Sequence, residues 1–156
     1  MNKNIIYLVI LLLVFSTFTI QASDNNLLNK GINEFKKNNY NQAITYLTDY
    51  AADNEDDYNV HYYLGLSYLK LDEYKMAVNS LNIANNINEN DYKTIVNLGR
   101  AYYHLDNYKK AEETLNLIKN EHKKDDQFYN LFALINLDQN NYKIAVDNFK
   151  KAIKYN

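Results

Sequence analysis

Glycine occurs three times in this chain of 156 residues, at Gly31, Gly65 and Gly99, each 34 positions from the next. Ala133 continues the series one period on. Three further columns keep the same register: Tyr40, Tyr74, Tyr108 and Tyr142; Ala43, Ala77, Ala111 and Ala145; Leu47, Leu81, Leu115 and Phe149. A fixed period carried through four rows without insertion marks a repeat array, whose units bury their apolar faces only by stacking on neighbours. The rows span roughly 24–57, 58–91, 92–125 and 126–156.

Each row reads as two amphipathic helices. In the second row Tyr62, Tyr63, Leu64, Leu66, Tyr68 and Leu69 mark one helix. Met76, Ala77, Val78, Leu81, Ala84 and Ile87 mark the next, with apolar residues three and four apart. Tight polar turns separate the pair at Lys37-Asn38-Asn39, Asp72-Glu73, Asp106-Asn107 and Gln139-Asn140-Asn141. The loops between rows end in Asp57, Asp91 and Asp125-Asp126, residue types suited to capping the helix that follows. Proline is absent, and with so little glycine the punctuation of β-rich folds is missing, so the expected class is all-α.

The columns have physical jobs. Gly or Ala lets the two helices of a hairpin approach closely, and the alanine column is the matching small surface. The tyrosine column is expected to fill the gap where adjacent hairpins meet. The Leu/Phe column fills the core layer, each burial contributing about 1.5–3 kcal/mol.

These residues resemble the tetratricopeptide repeat family. The stretch from Tyr63 to Ala77 contains Leu64-Gly65-Leu66-Ser67-Tyr68 and Tyr74-Lys75-Met76-Ala77, which match that family's Leu-Gly-x-x-Tyr and Tyr-x-x-Ala pattern. Leu98-Gly99-Arg100-Ala101-Tyr102 with Tyr108-Lys109-Lys110-Ala111 matches again. The resemblance implies an α-solenoid of four 34-residue helix-turn-helix repeats in a right-handed superhelix. Departures from the pattern are His61 and Ile95 near the start of a first helix, and Glu34 and Asn136 where Tyr68 and Tyr102 sit.

The N-terminus has a different character. Lys3 precedes an uncharged apolar run from Ile5 to about Phe18, and small or polar residues follow up to Ser23. This is the layout of a secretory signal peptide over 1–22, cut after Ala22. The alternative is an uncleaved N-terminal anchor, although the run is shorter than the roughly 20 apolar residues that a span needs. The chain is therefore expected to be exported, periplasmic or secreted, and to meet a membrane only if that segment is retained.

Composition closes off several chemistries. Seventeen basic and 19 acidic residues give a formal net charge of -2, which offers no electrostatic case for nucleic-acid binding. Without cysteine there is no disulfide, thiolate metal site, cysteine nucleophile or cysteine-linked lipid anchor. His61, His104 and His122 belong to no metal-spaced pair, and His61 takes a core aromatic position. The acidic run Asp53–Asp57 lacks the ordered spacing of a calcium loop and reads as a solvated cap. No catalytic constellation, metal site or cofactor site emerges, and no small-molecule substrate is expected.

The resemblance implies that first helices line a concave groove. Its middle would carry Tyr62, Lys70, Lys93, Arg100, Tyr103 and His104, an aromatic and cationic patch suited to an extended peptide with an acidic side chain or terminal carboxylate. Leu28 and Ile32 stand where the family's carboxylate clamp needs Lys and Asn, so chaperone-tail binding is not expected. A second candidate surface is the last helix, where Ile144, Val146, Phe149, Ile153 and Tyr155 lack a later helix to cover them all. This edge could serve self-association or docking, with Lys150, Lys151 and Lys154 keeping it soluble if it serves neither. The expected function is a non-enzymatic protein–protein interaction scaffold of the cell envelope that binds a peptide or partner protein in its groove. The alternative is a membrane-tethered or oligomeric structural assembly factor that uses its C-terminal helix.

Overall fold

A computed structural model describes residues 27–118 and 125–156, together with Tyr7. The apolar leader, its cleavage point at Ala22 and His122 lie outside the described residues. Within them the chain is helical and contains no strand: α1 (27–36), α2 (Tyr40–Ala51), α3 (Tyr58–Lys70), α4 (Tyr74–Ile87), α5 (Tyr92–His104), α6 (Tyr108–Asn116), α7 (Asp126–Asp138) and α8 (Tyr142–Tyr155). Every second helix begins on the tyrosine column. Among the described residues no helix is long and apolar enough to cross a membrane.

The turns explain why the helices break where they do. Asn38, Asp72, Asp106 and Asn140 all have positive φ, between 55° and 65°. Asn and Asp tolerate this left-handed conformation better than other non-glycine residues. Each has its side-chain oxygen held by the tyrosine two residues on: Tyr40, Tyr74, Tyr108 and Tyr142 donate to Asn38, Asp72, Asp106 and Asn140 at 2.7, 2.6, 3.0 and 2.6 Å. The tyrosine column therefore does more than fill a gap between hairpins, because its hydroxyl fastens the turn of its own row. The gap-filling role appears at Tyr74, whose ring stacks on His104 of the next row, centroids 4.6 Å apart.

The loops between rows behave as capping residues. Asp57, Asp91 and Asp125 accept from the backbone N–H of Asn59, Thr94 and Phe128 at 2.8, 2.9 and 2.7 Å. Each carboxylate satisfies an orphan donor at a helix start. A tyrosine of the row before each capped helix reaches all three, Tyr50 to Asp57 and Tyr58 to Asp91 at 2.9 Å, and Tyr92 to Asp125.

The core between the hairpins forms two clusters. Ala43, Leu47 and Tyr50 of α2 pack with Val60 and Leu64 of α3. Ile95 and Val96 of α5 and Ala111 and Leu115 of α6 pack with Phe128, Phe132 and Ile135 of α7. His61 is buried with its Nε2 2.7 Å from the Glu55 carbonyl oxygen, in the packing role its column suggests. Glu34, in place of a tyrosine, accepts from Lys37 and Asn39, both at 2.7 Å.

Candidate protein-binding groove

First helices touch one another across rows, α3 with α5 and α5 with α7, whereas among the described residues α2, α4, α6 and α8 do not. The first helices therefore line the inner side of the curve, where the groove was expected. That surface opens into a cavity of about 410 Å³ bordered by Arg100, Tyr103 and His104 of α5, Asn130 and Leu134 of α7, and Phe149 of α8.

A chain of polar contacts holds this surface across three rows. Arg100 donates through Nη1 to Asn97 Oδ1 at 3.1 Å and through Nη2 to Gln127 Oε1 at 3.4 Å. Both partners are neutral amides, and Arg100 forms no ion pair among the described residues. Its positive charge is thus positioned but not neutralised. Tyr103 donates to Asp138 Oδ2 at 2.8 Å. Burial, reinforced by the Asp138 carboxylate, pushes the Tyr103 phenol up to about 12, so it remains a donor at neutral pH. Tyr62 stacks on Tyr58 with centroids 5.6 Å apart. Burial and then the nearby Asp91 charge raise its phenol, while Arg100 and Asn97 pull the other way.

Of the six groove residues singled out from sequence, the structure brings Arg100, Tyr103 and His104 together around the cavity. Tyr62 is half-buried and belongs to the row before, and Lys70 and Lys93 are exposed but do not border the cavity. Sequence reasoning passed over Asn97, which orients Arg100. Its spacing three residues ahead on the same helix was the available signal. It also passed over Asp126, which borders the cavity on α7.

The edge residues divide. Val146 and Ile153 are 50% and 77% exposed on one stripe of α8. Ile144 is also exposed but lies off that stripe, two positions before Val146. Phe149 is half-buried and lines the cavity, and Tyr155 packs against Tyr129 at 5.6 Å. These two are not free edge. Among the described residues no group of three or more His, Asp or Glu is placed to hold a metal ion.

Residues 36–118 match a family model described as anaphase-promoting complex, cyclosome, subunit 3, and residues 126–156 match a tetratricopeptide repeat model. No curated protein matches the chain by sequence. A crystal structure of MamA superposes with a TM-score of 0.78 at 23% identity, covering 85% of this chain and 77% of that one. A MamA fragment from Desulfovibrio magneticus RS-1 gives a TM-score of 0.79 at 18% identity, with 85% and 75% covered. At such identities the likeness is one of fold. With both family models falling on the repeat rows, the chain belongs to the tetratricopeptide repeat proteins.

Proposed function

We propose that the chain is an exported, non-enzymatic scaffold whose concave surface over α5 and α7 takes an extended segment of a partner protein. The segment carries an acidic side chain or terminal carboxylate beside an apolar residue. One observation carries this reading: the Arg100 guanidinium is held by two neutral amides at the border of a cavity with Leu134 and Phe149 in its wall. A fixed cation without a carboxylate partner favours an incoming anion, and the fork geometry of Arg suits a carboxylate. Tyr103 and His104 supply aromatic surface at the same place.

Fluorescence polarisation with a peptide library tests the site. Peptides with a free C-terminal carboxylate or a Glu beside a Leu are expected to bind. Amidated or Gln-substituted versions lose about tenfold or more, as expected for one charge-assisted pair. Arg100→Glu abolishes the preference. Equal binding of acidic and neutral peptides would overturn it. Export is proposed from Lys3 and the apolar run at Ile5–Phe18. N-terminal sequencing of the secreted or envelope-bound protein checks it: a start at Ser23 means cleavage, and a retained leader means a tether.

A further inference from the structure

We propose that the exposed stripe of α8, with the adjoining face of α7, docks one amphipathic helix of a partner protein. That helix is apolar at i, i+3, i+4 and i+7 and acidic along the side that meets α8. This surface goes beyond the concave site, although Phe149 and Ile153 also border the cavity at its inner end.

The array itself shows how such a surface is covered. Leu47, Leu81 and Leu115 are each 0% exposed, while Phe149 in the same column is only half-buried. Around Leu47 the covering element is α3, which lays Val60 and Leu64 against α2, with Ile44 and Ala51 packed at the rim. One row before the end, α7 does the same with Phe128, Leu131, Phe132 and Ile135, a spacing of i, i+3, i+4 and i+7. The counterparts of Ile44, Leu47 and Ala51 in α8 are Val146, Phe149 and Ile153, and Tyr142 extends the stripe by one turn. On α7, Leu137 is 40% exposed, whereas its counterpart Tyr103 is engaged by Asp138 of the following row. A helix-sized apolar groove therefore repeats, in register, a junction that three helices of this fold already occupy.

Charge specifies the occupant further. Lys143, Lys150 and Lys154 line one side of the stripe with Asp147 among them, all four are exposed, and the lysines form no ion pair among the described residues, so this side keeps a net positive charge. Acidic residues on the incoming helix complement them. A second copy's first helix does not fit this description. Lys30, Asn33 and Glu34 fill the columns where α3 carries Leu64, Ser67 and Tyr68, and Glu34 is held by Lys37 and Asn39. Nor do the other first helices fit, since each starts on an aspartate cap. At their junctions that aspartate meets a tyrosine such as Tyr58, but the matching position here is Asp126.

The test uses the whole mature chain and a labelled synthetic helix with Leu at i, i+3, i+4 and i+7, Glu on one flank and an Asn cap. A second peptide has Lys for Glu, and a third has its leucines scrambled. Fluorescence polarisation should show saturable one-to-one binding of the first, weakened about tenfold or more in the other two. Val146→Glu combined with Leu137→Glu should abolish binding while helicity and melting temperature stay unchanged, both sites being exposed and neither bordering the cavity. The proposal is overturned if the scrambled peptide binds equally or if the double variant binds normally. It is also overturned if light scattering shows a self-associated chain that the double variant dissolves, because the occupant is then a second copy. Arg100→Glu reads the concave site separately, so each surface can fail without the other.

Discussion

The Leu81 side chain occupies the space that a Cβ on Gly65 would need, its Cγ lying 2.5 Å from that position. Gly31 and Leu47 stand in the same relation at 2.6 Å, and Gly99 and Leu115 at 3.0 Å. The glycine column and the leucine column are thus one steric device, which sets how closely the two helices of a row approach. In the fourth row Ala133 and Phe149 fill these two columns, and Phe149 is half-buried.

Gly65→Ala should therefore destabilise the array. Overpacking costs about 1–3 kcal/mol, and the helical preference for Ala returns up to about 1 kcal/mol. A net loss of about 1–2 kcal/mol is expected at Gly65 and Gly31. Gly99→Ala should lose less, because its contact is wider. Urea unfolding midpoints measured at constant slope give the order. A midpoint for Gly65→Ala at or above that of the parent would remove the steric argument.

The turn residues offer a second test. Asp72 has φ 59° and accepts from Tyr74 at 2.6 Å. Asp72→Val places a β-branched residue in the left-handed region and removes the acceptor, for a loss of about 1–2 kcal/mol. Asp72→Gly relieves the backbone while losing the acceptor, and should stay within about 0.5 kcal/mol of the parent. Thermal melts of the two variants separate backbone strain from the hydrogen bond. If Val and Gly behave alike, the left-handed turn does not set the stability.

Much of this was legible in the sequence because a repeat writes each physical constraint several times. The close approach at Gly65, the turn at Asp72 and the cap at Asp91 each recur 34 residues on, so a single row could be read from its neighbours. What escaped were contacts that occur once. Asn97 holds Arg100 in one row only: Asn29 shares its column but has Ile32 three residues on, and Tyr63 and Leu131 fill it in the other rows. The burial of Phe149 also departs from its column, because among the described residues α8 packs against α7 alone. Periodicity reports what is shared between rows, whereas the candidate site is made of what differs.

Asp91 should govern part of the acid limb of stability. Burial pushes its carboxyl up, but the Thr94 N–H, the Tyr58 hydroxyl and the Thr94 hydroxyl outweigh that and hold it below the usual carboxylate range. A group with a depressed folded value contributes stability above its unfolded value, and that stability is lost as pH falls through the folded one. Asp91→Asn keeps a capping oxygen but cannot be charged. The variant should melt lower than the parent at neutral pH, and the gap should close as pH falls below about 4. A gap that does not depend on pH would mean the carboxylate charge contributes nothing.

At the alkaline end the sign reverses. Burial raises the Tyr58 phenol to about 12, and the Asp91 carboxylate it bonds adds to the shift. Tyr103 is raised to about 12 in the same way, by burial and by Asp138. Phenols of the unfolded chain ionise near 10. Because the folded values lie higher, the stability linked to these groups is fully present below about pH 10 and is lost as pH rises through about 12. Absorbance titration should accordingly resolve an early class of exposed tyrosines and a late class that ionises together with unfolding. Tyr58→Phe and Tyr103→Phe should each shrink the late class by one phenol and leave the early class intact. A single step near 10 for all the tyrosines of the folded chain would show that neither hydroxyl is held by its carboxylate partner in solution.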